Sequence, residues 1–186
     1  GSLVNGDGIL FLLSRHYHSR ENFGGVVGTL MTNLGVERAC RSQGIPFVRA
    51  KVGDRYVLEA LIERKWTLGG ETSGHILCLD RSTTGDGLVA ALAVLEVMVT
   101  SGRSLAELVS DLETFPQRLI NVRLEGASPN AVIESQAVIH ALRESEAELG
   151  ARGRVVLRPS GTEPLVRGMV EADNQNFRSE EHTSEL

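Results

Sequence analysis

Short apolar runs alternate with amphipathic helical patterns along the first 114 residues, and this alternation constrains the fold more than any other feature. Runs rich in apolar residues predict buried strands at 25–29, 46–50 and 75–79. Strands that alternate with helices pack as layers around a sheet, so we predict an α/β layer structure for this part of the chain. The predicted helices, each with apolar residues at helical spacing, are 34–44, 56–65, 87–100 and 105–112.

A domain boundary is predicted at Thr114-Phe115-Pro116, where the alternation stops. Beyond this point the order of elements predicts a small α+β domain. Its elements are a strand at 118–124, a long helix at 131–149 and a strand pair at 155–157 and 165–170.

The two ends of the chain do not fit this pattern. The apolar run at 9–13 could be a buried strand or the start of a helix, because periodicity does not separate the two in so short a run. It is too short to be a domain and is interpreted as the end of an earlier unit. The last stretch, 177–186, is polar and acidic without apolar periodicity, which predicts a disordered or non-native tail.

Composition argues against two classes of partner. The formal net charge is -5 and no basic stripe is present, whereas nucleic-acid-binding proteins usually carry a basic excess. No apolar run reaches the about 18 residues that a membrane span needs, and the N-terminus lacks a signal-peptide pattern. Cys40 and Cys78 lie far apart in apolar stretches, which predicts two buried free thiols and a reducing, cytoplasmic location.

The segment 158–167 has the composition of an anion-binding loop that follows a strand. Its glycine lets backbone N–H groups turn towards one point, and its hydroxyls add donors. Its two guanidinium groups can hold a phosphate through paired hydrogen bonds. A tight turn with exposed arginines is the alternative interpretation. The residues concerned are Arg158, Ser160, Gly161, Thr162 and Arg167.

A second polar cluster occupies residues 70–75, just before an apolar strand. A carboxylate, a hydroxyl and an imidazole stand there at alternate positions. Side chains at alternate positions of an extended segment point the same way, so Glu71, Ser73 and His75 could face one ligand. A polar entry into the strand is the other interpretation. A third segment places Lys51, Gly53, Asp54 and Arg55 before a helix, with Asp54 as the predicted N-cap.

These three segments, in their order along the chain and with the gaps between them, resemble the loops of the α-D-phosphohexomutase family. Residues 70–75 resemble its sugar-binding loop, and 158–167 resemble its phosphate-binding loop. The amino-acid sequences of residues 28–35 and 53–57 resemble those of the phosphoglucosamine mutase branch in particular. The resemblance runs from Leu3 to Asp173.

The resemblance implies four domains around one cleft, with this chain as the C-terminal part. In that arrangement 1–19 is the end of domain 2, 20–114 is a complete three-layer α/β domain 3 with a mixed sheet, and 115–176 is the small α+β domain 4. It also implies roles for the loop residues. Glu71, Ser73 and His75 would bind the sugar, with His75 a candidate proton shuttle; Arg158, Ser160, Gly161, Thr162 and Arg167 would bind the phosphate; Lys51, Gly53, Asp54 and Arg55 would line the cleft.

The implied activity is the interconversion of glucosamine 6-phosphate and glucosamine 1-phosphate, a step of amino-sugar biosynthesis. In the family a phosphoserine donates the phosphoryl group, and a magnesium ion held by three aspartates supports the transfer. This sequence contains neither the serine loop nor the metal loop, so we expect the chain alone to be inactive. Asn5-Gly6-Asp7-Gly8 offers one carboxylate, too few for magnesium, and is interpreted as a turn.

Two alternatives remain open at this point. Family members that act on mannose or glucose phosphates usually carry a histidine where this chain has Asp54, so a phosphomannomutase or phosphoglucomutase is the nearest alternative. A non-catalytic phosphosugar-binding fragment is the other, because the recognition loops are present and the reactive loops are not.

Overall fold

A computed structural model of the chain describes residues 1, 3–21, 23–160 and 163–173. The chain divides into two compact units, residues 1–114 and residues 115–186. The helices of the first unit are α1 (Gly6–Tyr17), α2 (Leu34–Ser42), α3 (Asp54–Arg64), α4 (Gly87–Ser101) and α5 (Leu105–Val109). Its strands are β1 (Val26–Thr29), β2 (Phe47–Ala50), β3 (Leu68–Gly70) and β4 (Ile76–Cys78).

The sheet of the first unit has the strand order β2-β1-β3-β4. Strand β1 runs parallel to both neighbours, with Val26 opposite Phe47 on one side and Leu68 on the other. Strand β4 is antiparallel to β3, with Gly70 opposite Ile76. The predicted mixed sheet is therefore confirmed. Because β1, β2 and β3 are parallel, the loops that follow them all leave from one edge of the sheet.

Helices cover both faces of this sheet, which confirms the three-layer α/β fold. Alternate strand residues point to opposite faces, so Val26 and Val27 enter different cores. One core is built with α1, α2 and α4, and its buried residues include Leu10, Leu13, Val36, Cys40, Leu68, Ala93 and Val97. The other core is built with α3, and its buried residues are Val27, Ala50, Val57, Leu61 and Leu77.

The apolar run at 9–13 is part of α1, which resolves the choice between a strand and a helix. The interpretation of residues 5–8 as a turn was wrong, because Asn5 is the N-cap of α1 and the next three residues form its first turn. The Asn5 side chain accepts a hydrogen bond from the Gly8 N–H at 3.2 Å. Asn is a favoured N-cap because its side-chain oxygen satisfies one of the free N–H groups at a helix start.

The second unit is a small α+β arrangement, as predicted. Its strands are β5 (Gln117–Arg123), β6 (Gly153–Pro159) and β7 (Leu165–Ala172), in the antiparallel order β5-β7-β6. Helices α6 (Pro129–Ile133) and α7 (Gln136–Leu149) pack against the sheet, and a short 3-10 turn at Gly150–Arg152 leads into β6. The single helix predicted at 131–149 is interrupted, because Ser135 caps α7 by accepting from the Val138 N–H.

Helix α4 leaves an apolar stripe facing outward. Its inner face is buried, whereas Leu88, Leu92, Leu95 and Val99 on its outer face are between 51% and 80% exposed. Even this helix has only 15 residues, and within the described ranges of the chain no helix is long and apolar enough to cross a membrane. The predicted tail at 177–186 lies outside the described residues.

Candidate functional site

The carboxyl edge of the parallel strands is the natural place for a ligand in this fold. In open α/β sheets, ligands bind beyond the carboxyl ends of the strands, at the point where the strand order reverses. Here the order β2-β1-β3 places that point between β1 and β3. The loops beside it are 30–33, after β1, and 71–75, after β3.

Residues 71–75 form the tight turn of the hairpin between β3 and β4. The Gly74 N–H donates to the Glu71 carbonyl at 3.0 Å, and the Glu71 N–H donates to the His75 carbonyl at 3.0 Å. The segment is therefore not extended, and the prediction that its alternate side chains point the same way is wrong. Ser73 and His75 are exposed and Glu71 is half-buried, so the turn keeps the three side chains in one loop without the predicted alternation.

The Glu71 carboxylate connects this turn to the loop after β2. Its Oε1 accepts a hydrogen bond from the Gly53 N–H at 2.9 Å. Gly53 is the N-cap of α3 and has φ +128°, a conformation that favours glycine. The prediction that Asp54 caps this helix was therefore wrong. Asp54 is instead the first helical residue, and its Oδ1 accepts from the Arg55 N–H at 2.7 Å.

The charged residues around Gly53 stand at the protein surface. Lys51, Asp54 and Arg55 are all exposed. Arg55 forms an ion pair with Glu59 at 2.8 Å, and the hydrogen bond from Arg55 to this carboxylate raises the pKa of the guanidinium. The Lys51 Nζ lies 5.7 Å from the centre of the Tyr56 ring. Of the predicted cleft residues, Gly53 is the one that the structure ties to the turn at 71–75.

Two residues that the sequence did not single out as site residues, Asp7 and Thr72, support the turn from below. Asp7 is 2% exposed, at the start of α1. Its Oδ1 accepts a hydrogen bond from the Thr72 hydroxyl at 3.0 Å, and its Oδ2 accepts from the Asn33 N–H at 3.2 Å. The signal in the sequence was a lone carboxylate between two glycines at the start of an apolar run.

In the second unit, Arg158 and Arg167 stand directly opposite each other on β6 and β7. Burial, and after it the positive charge of Arg167, lowers the pKa of the Arg158 guanidinium. Like charges directly opposite each other on neighbouring strands are destabilising. An anion between the two guanidiniums would reduce that repulsion.

The connection between β6 and β7 gives the arginine pair a partial counter-charge. Arg167 donates to the Glu163 carboxylate at 3.2 Å, and the Glu163 N–H donates to the Ser160 hydroxyl at 3.3 Å. Among the described residues, the buried Arg167 Nε has no hydrogen-bond partner. The predicted site residues Gly161 and Thr162 lie outside the described residues.

The two cysteines are buried free thiols, as predicted. Burial raises the pKa of both Cys40 and Cys78 to about 11. A thiol acts as a nucleophile through its thiolate, so neither side chain is activated at neutral pH.

Family models match almost the whole chain. Residues 5–115 match the model described as "Phosphoglucomutase/phosphomannomutase, alpha/beta/alpha domain III". Residues 119–177 match "Phosphoglucomutase/phosphomannomutase, C-terminal domain". The two matches together bring both candidate loops into one family.

Individual relatives agree with these models. The chain is 55% identical over 174 residues to the phosphoglucosamine mutase of Xanthomonas campestris pv. campestris (strain B100), covering 93% of this chain and 39% of that protein. It is also 55% identical over 184 residues to the phosphoglucosamine mutase of Methylibium petroleiphilum, covering 94% of this chain and 40% of that protein. The chain thus spans about two fifths of the length of these relatives.

A solved structure shares the fold. Aspergillus fumigatus N-acetylphosphoglucosamine mutase, in complex with GlcNAc-6P and magnesium, aligns with a TM-score of 0.72 and 21% identity over 92% of this chain and 44% of that one. This likeness shows the fold alone, whereas the two family models together match far more than half of the sequence. The chain therefore belongs to the phosphoglucomutase/phosphomannomutase family of phosphohexomutases.

Proposed function

We propose that this chain is the substrate-recognition part of a phosphoglucosamine mutase, which interconverts glucosamine 6-phosphate and glucosamine 1-phosphate. The relatives at 55% identity carry that name. The observation that carries the proposal is the register of Arg158 opposite Arg167, and it supports the proposal because one phosphate could neutralise both guanidiniums. The sugar end of the substrate is assigned to Glu71, Ser73 and His75, in the turn beside the strand-order reversal.

The Glu71 carboxylate is suited to hold a sugar hydroxyl. One of its oxygens already accepts from the Gly53 N–H, which fixes the position of the carboxylate. Its other oxygen has no hydrogen bond with the described residues and is free to accept from a ligand. Ser73 and His75, both exposed, can donate to further sugar oxygens, and His75 is the candidate for moving a proton at the reacting end.

We infer that the phosphate clamp serves both directions of the reaction. A mutase must hold its substrate at one end while the other end reacts, and then in the reverse orientation. A clamp that contacts only phosphate can bind either end of a bisphosphorylated sugar, since both ends present the same group. Arg158, Arg167 and Ser160 offer donors for this purpose, and Gly161 and Thr162 complete the proposed clamp.

The reactive groups are proposed to come from residues that this sequence does not contain. The family's phosphoserine loop is absent from it, so we assign no nucleophile here. Magnesium is present in one related structure, but in the described part of this chain no group of three or more His, Cys, Asp and Glu residues could hold a metal ion. The residues described here do not fit that ion, and we assign them binding and orientation only.

We further propose a cytoplasmic location, because two buried free thiols suit a reducing compartment. A phosphomannomutase or phosphoglucomutase is the alternative substrate class. Asp54 supports the amino-sugar assignment, since the alternative branch usually carries a histidine there. A non-catalytic phosphosugar-binding role is favoured for the isolated chain by the same absence of a serine loop.

Isothermal titration calorimetry of the chain tests the proposal. We expect glucosamine 6-phosphate to bind more tightly than inorganic phosphate. Unphosphorylated glucosamine should bind at least about tenfold more weakly than glucosamine 6-phosphate, because charge-assisted hydrogen bonds to phosphate dominate the binding free energy. Mannose 6-phosphate serves as the control for the alternative substrate class. Glucosamine binding as tight as that of glucosamine 6-phosphate would refute the phosphate clamp, and tighter binding of mannose 6-phosphate would favour the alternative.

A further inference from the structure

We propose that Gly6 and Asp7, at the start of α1, are positioning residues for the sugar-binding turn. This inference rests on the proposed function, because it assumes that the turn at 71–75 binds the sugar. The segment around Asp7 was interpreted from sequence as a simple turn, and no role in recognition was assigned to it. The structure instead places it directly beneath Glu71 and Thr72, against the backbone of the hairpin.

Gly6 allows the helix start and the turn to touch through their backbones. The Gly6 N–H donates to the Thr72 carbonyl at 3.1 Å. A Cβ added at Gly6 would lie 2.0 Å from the Glu71 carbonyl oxygen, a distance that only a backbone shift could relieve. Glycine is therefore required at this position if Glu71 is to keep its place.

Asp7 joins the two loops that flank the point of strand-order reversal. Its carboxylate accepts from the Thr72 hydroxyl at 3.0 Å in the loop after β3, and from the Asn33 N–H at 3.2 Å in the loop after β1. Asp7 is 2% exposed, so little water competes for these bonds. A negative charge in the first turn of a helix is also favoured by the helix dipole.

The contacts continue from Asp7 to the sugar-binding carboxylate. Thr72 is the neighbour of Glu71, and Glu71 holds the Gly53 N–H at 2.9 Å. The loops after β1, β2 and β3 are thus connected in one hydrogen-bonded series that starts at Asp7. Removing the Asp7 carboxylate would remove its hydrogen bonds to Thr72 and Asn33. Because Thr72 is the neighbour of Glu71, we expect the position of Glu71 to change.

The Asp7→Asn variant separates the positioning contacts of Asp7 from its negative charge. In Asp7→Asn the amide oxygen can accept from the Asn33 N–H, and the amide NH₂ can donate to the Thr72 oxygen. The Thr72 hydroxyl would then donate to the Met31 carbonyl, which already lies 3.3 Å away. Asp7→Ala removes both contacts. We therefore expect Asp7→Asn to rescue what Asp7→Ala loses.

The test titrates glucosamine 6-phosphate, and separately inorganic phosphate, into the ¹⁵N-labelled chain and its variants. Asp7→Ala should weaken glucosamine 6-phosphate binding by about tenfold, the loss expected when a charge-assisted hydrogen bond is removed. Asp7→Asn should stay within about twofold, since it keeps both contacts. Inorganic phosphate, which needs only the clamp in the second unit, should bind all variants equally. The matched control is Asp111→Ala, which removes an exposed aspartate that is paired with Arg15.

Equal glucosamine 6-phosphate affinity in wild type and Asp7→Ala would overturn the inference. If Asp7→Ala does not fold, Thr72→Val and Thr72→Ser form a second pair that removes or keeps the same hydroxyl. If the wild type does not bind the sugar phosphate, the proposed function fails, and amide exchange still tests the inference. The Gly53 amide should exchange at least about tenfold faster in Thr72→Val than in Thr72→Ser, because its acceptor on Glu71 is displaced. Identical exchange rates would refute the positioning role.

Discussion

The Glu71 carboxylate accepts a hydrogen bond from the Gly53 N–H at 2.9 Å, and this contact ties the turn after β3 to the helix start after β2. The two residues are 18 positions apart in the sequence. Their contact explains how short loops from separate strands are held next to each other. It also predicts that changes at Glu71 have two separable effects, on loop position and on the ligand.

Glu71→Ala should weaken glucosamine 6-phosphate binding by about tenfold or more, because it removes an ionised acceptor. Glu71→Gln should retain the Gly53 contact through its amide oxygen, and should lose only the acceptor that faces the ligand. Calorimetry on both variants measures the difference. Glu63→Ala, which removes an exposed glutamate on the same helix as Asp54, serves as the control. An unchanged affinity in Glu71→Ala would remove Glu71 from the site.

The chain alone should not interconvert glucosamine 6-phosphate and glucosamine 1-phosphate. Phosphoryl transfer through a covalent intermediate needs an activated nucleophile, and the loop that supplies it in the family is missing from this sequence. A coupled enzymatic assay on the purified chain, repeated on the Arg158→Ala variant, checks this. Turnover that disappears in the variant would contradict the expectation, whereas turnover common to both would identify a contaminant.

Two leucines of the first unit should respond very differently to truncation. Leu61 is fully buried on the inner face of α3, so Leu61→Ala should lower the free energy of unfolding by about 2–5 kcal/mol. Leu92 is 62% exposed on α4, so Leu92→Ala should change it by no more than about 0.5 kcal/mol. Urea unfolding of the two variants gives the comparison. A large loss at Leu92 would mean that its side chain is covered in solution.

Stability should fall as the pH rises above 9, because both cysteines are buried. Burial raises the pKa of Cys40 and of Cys78 to about 11 in the folded chain. The unfolded chain therefore releases these protons first, and the stability present below the unfolded pKa is lost as the pH rises through the folded one. Urea unfolding at pH 8 and pH 10.5 should show a smaller loss for Cys40→Ala than for wild type. Equal losses would place the Cys40 thiol in contact with water.

A buried ion pair should be essential to the second unit. Glu171 is fully buried, and its carboxylate accepts from Arg154 at 2.5 Å and from Gln117 at 2.9 Å. Removing one partner of a buried pair costs about 3–5 kcal/mol, because the remaining charge loses its ionic partner. Arg154→Ala should therefore strongly lower the unfolding free energy of this unit, compared with Arg143→Ala on the exposed face of α7. Equal stability of the two variants would show that the pair is not needed.

The layered fold could be predicted because its strands and helices carry strong local patterns. Strand β3 was missed because two of its three residues, Gly69 and Gly70, have no side chain to signal a strand. The helix start at residues 5–8 was misread because its two glycines and its asparagine are also typical of turns. Gly6 also lies against the backbone of Glu71, more than 60 residues away, and local patterns do not contain that information.

The sequence was enough to select the two loops as candidates, but it was not enough to predict their geometry. The segment with Arg158 and Arg167 was predicted to bind an anion because of its donors, yet the direct opposition of the two arginines follows from the β6–β7 register. The turn at 71–75 was assumed to be extended, and its hydrogen bonds show a hairpin instead. Asp7 and Thr72 were overlooked because their contact depends on tertiary packing.

The binding of glucosamine 6-phosphate to Arg158→Ala tests the central claim most directly. Arg143→Ala removes the same charge from an exposed position and is the control. Loss of charge-assisted hydrogen bonds at about 1.5–3 kcal/mol each predicts that Arg158→Ala binds about tenfold to a hundredfold more weakly than wild type. Arg158→Lys should recover only part of the loss, because an ammonium cannot form the paired contact. Calorimetric affinities for Arg158→Ala that match those of wild type and Arg143→Ala would contradict the phosphate clamp.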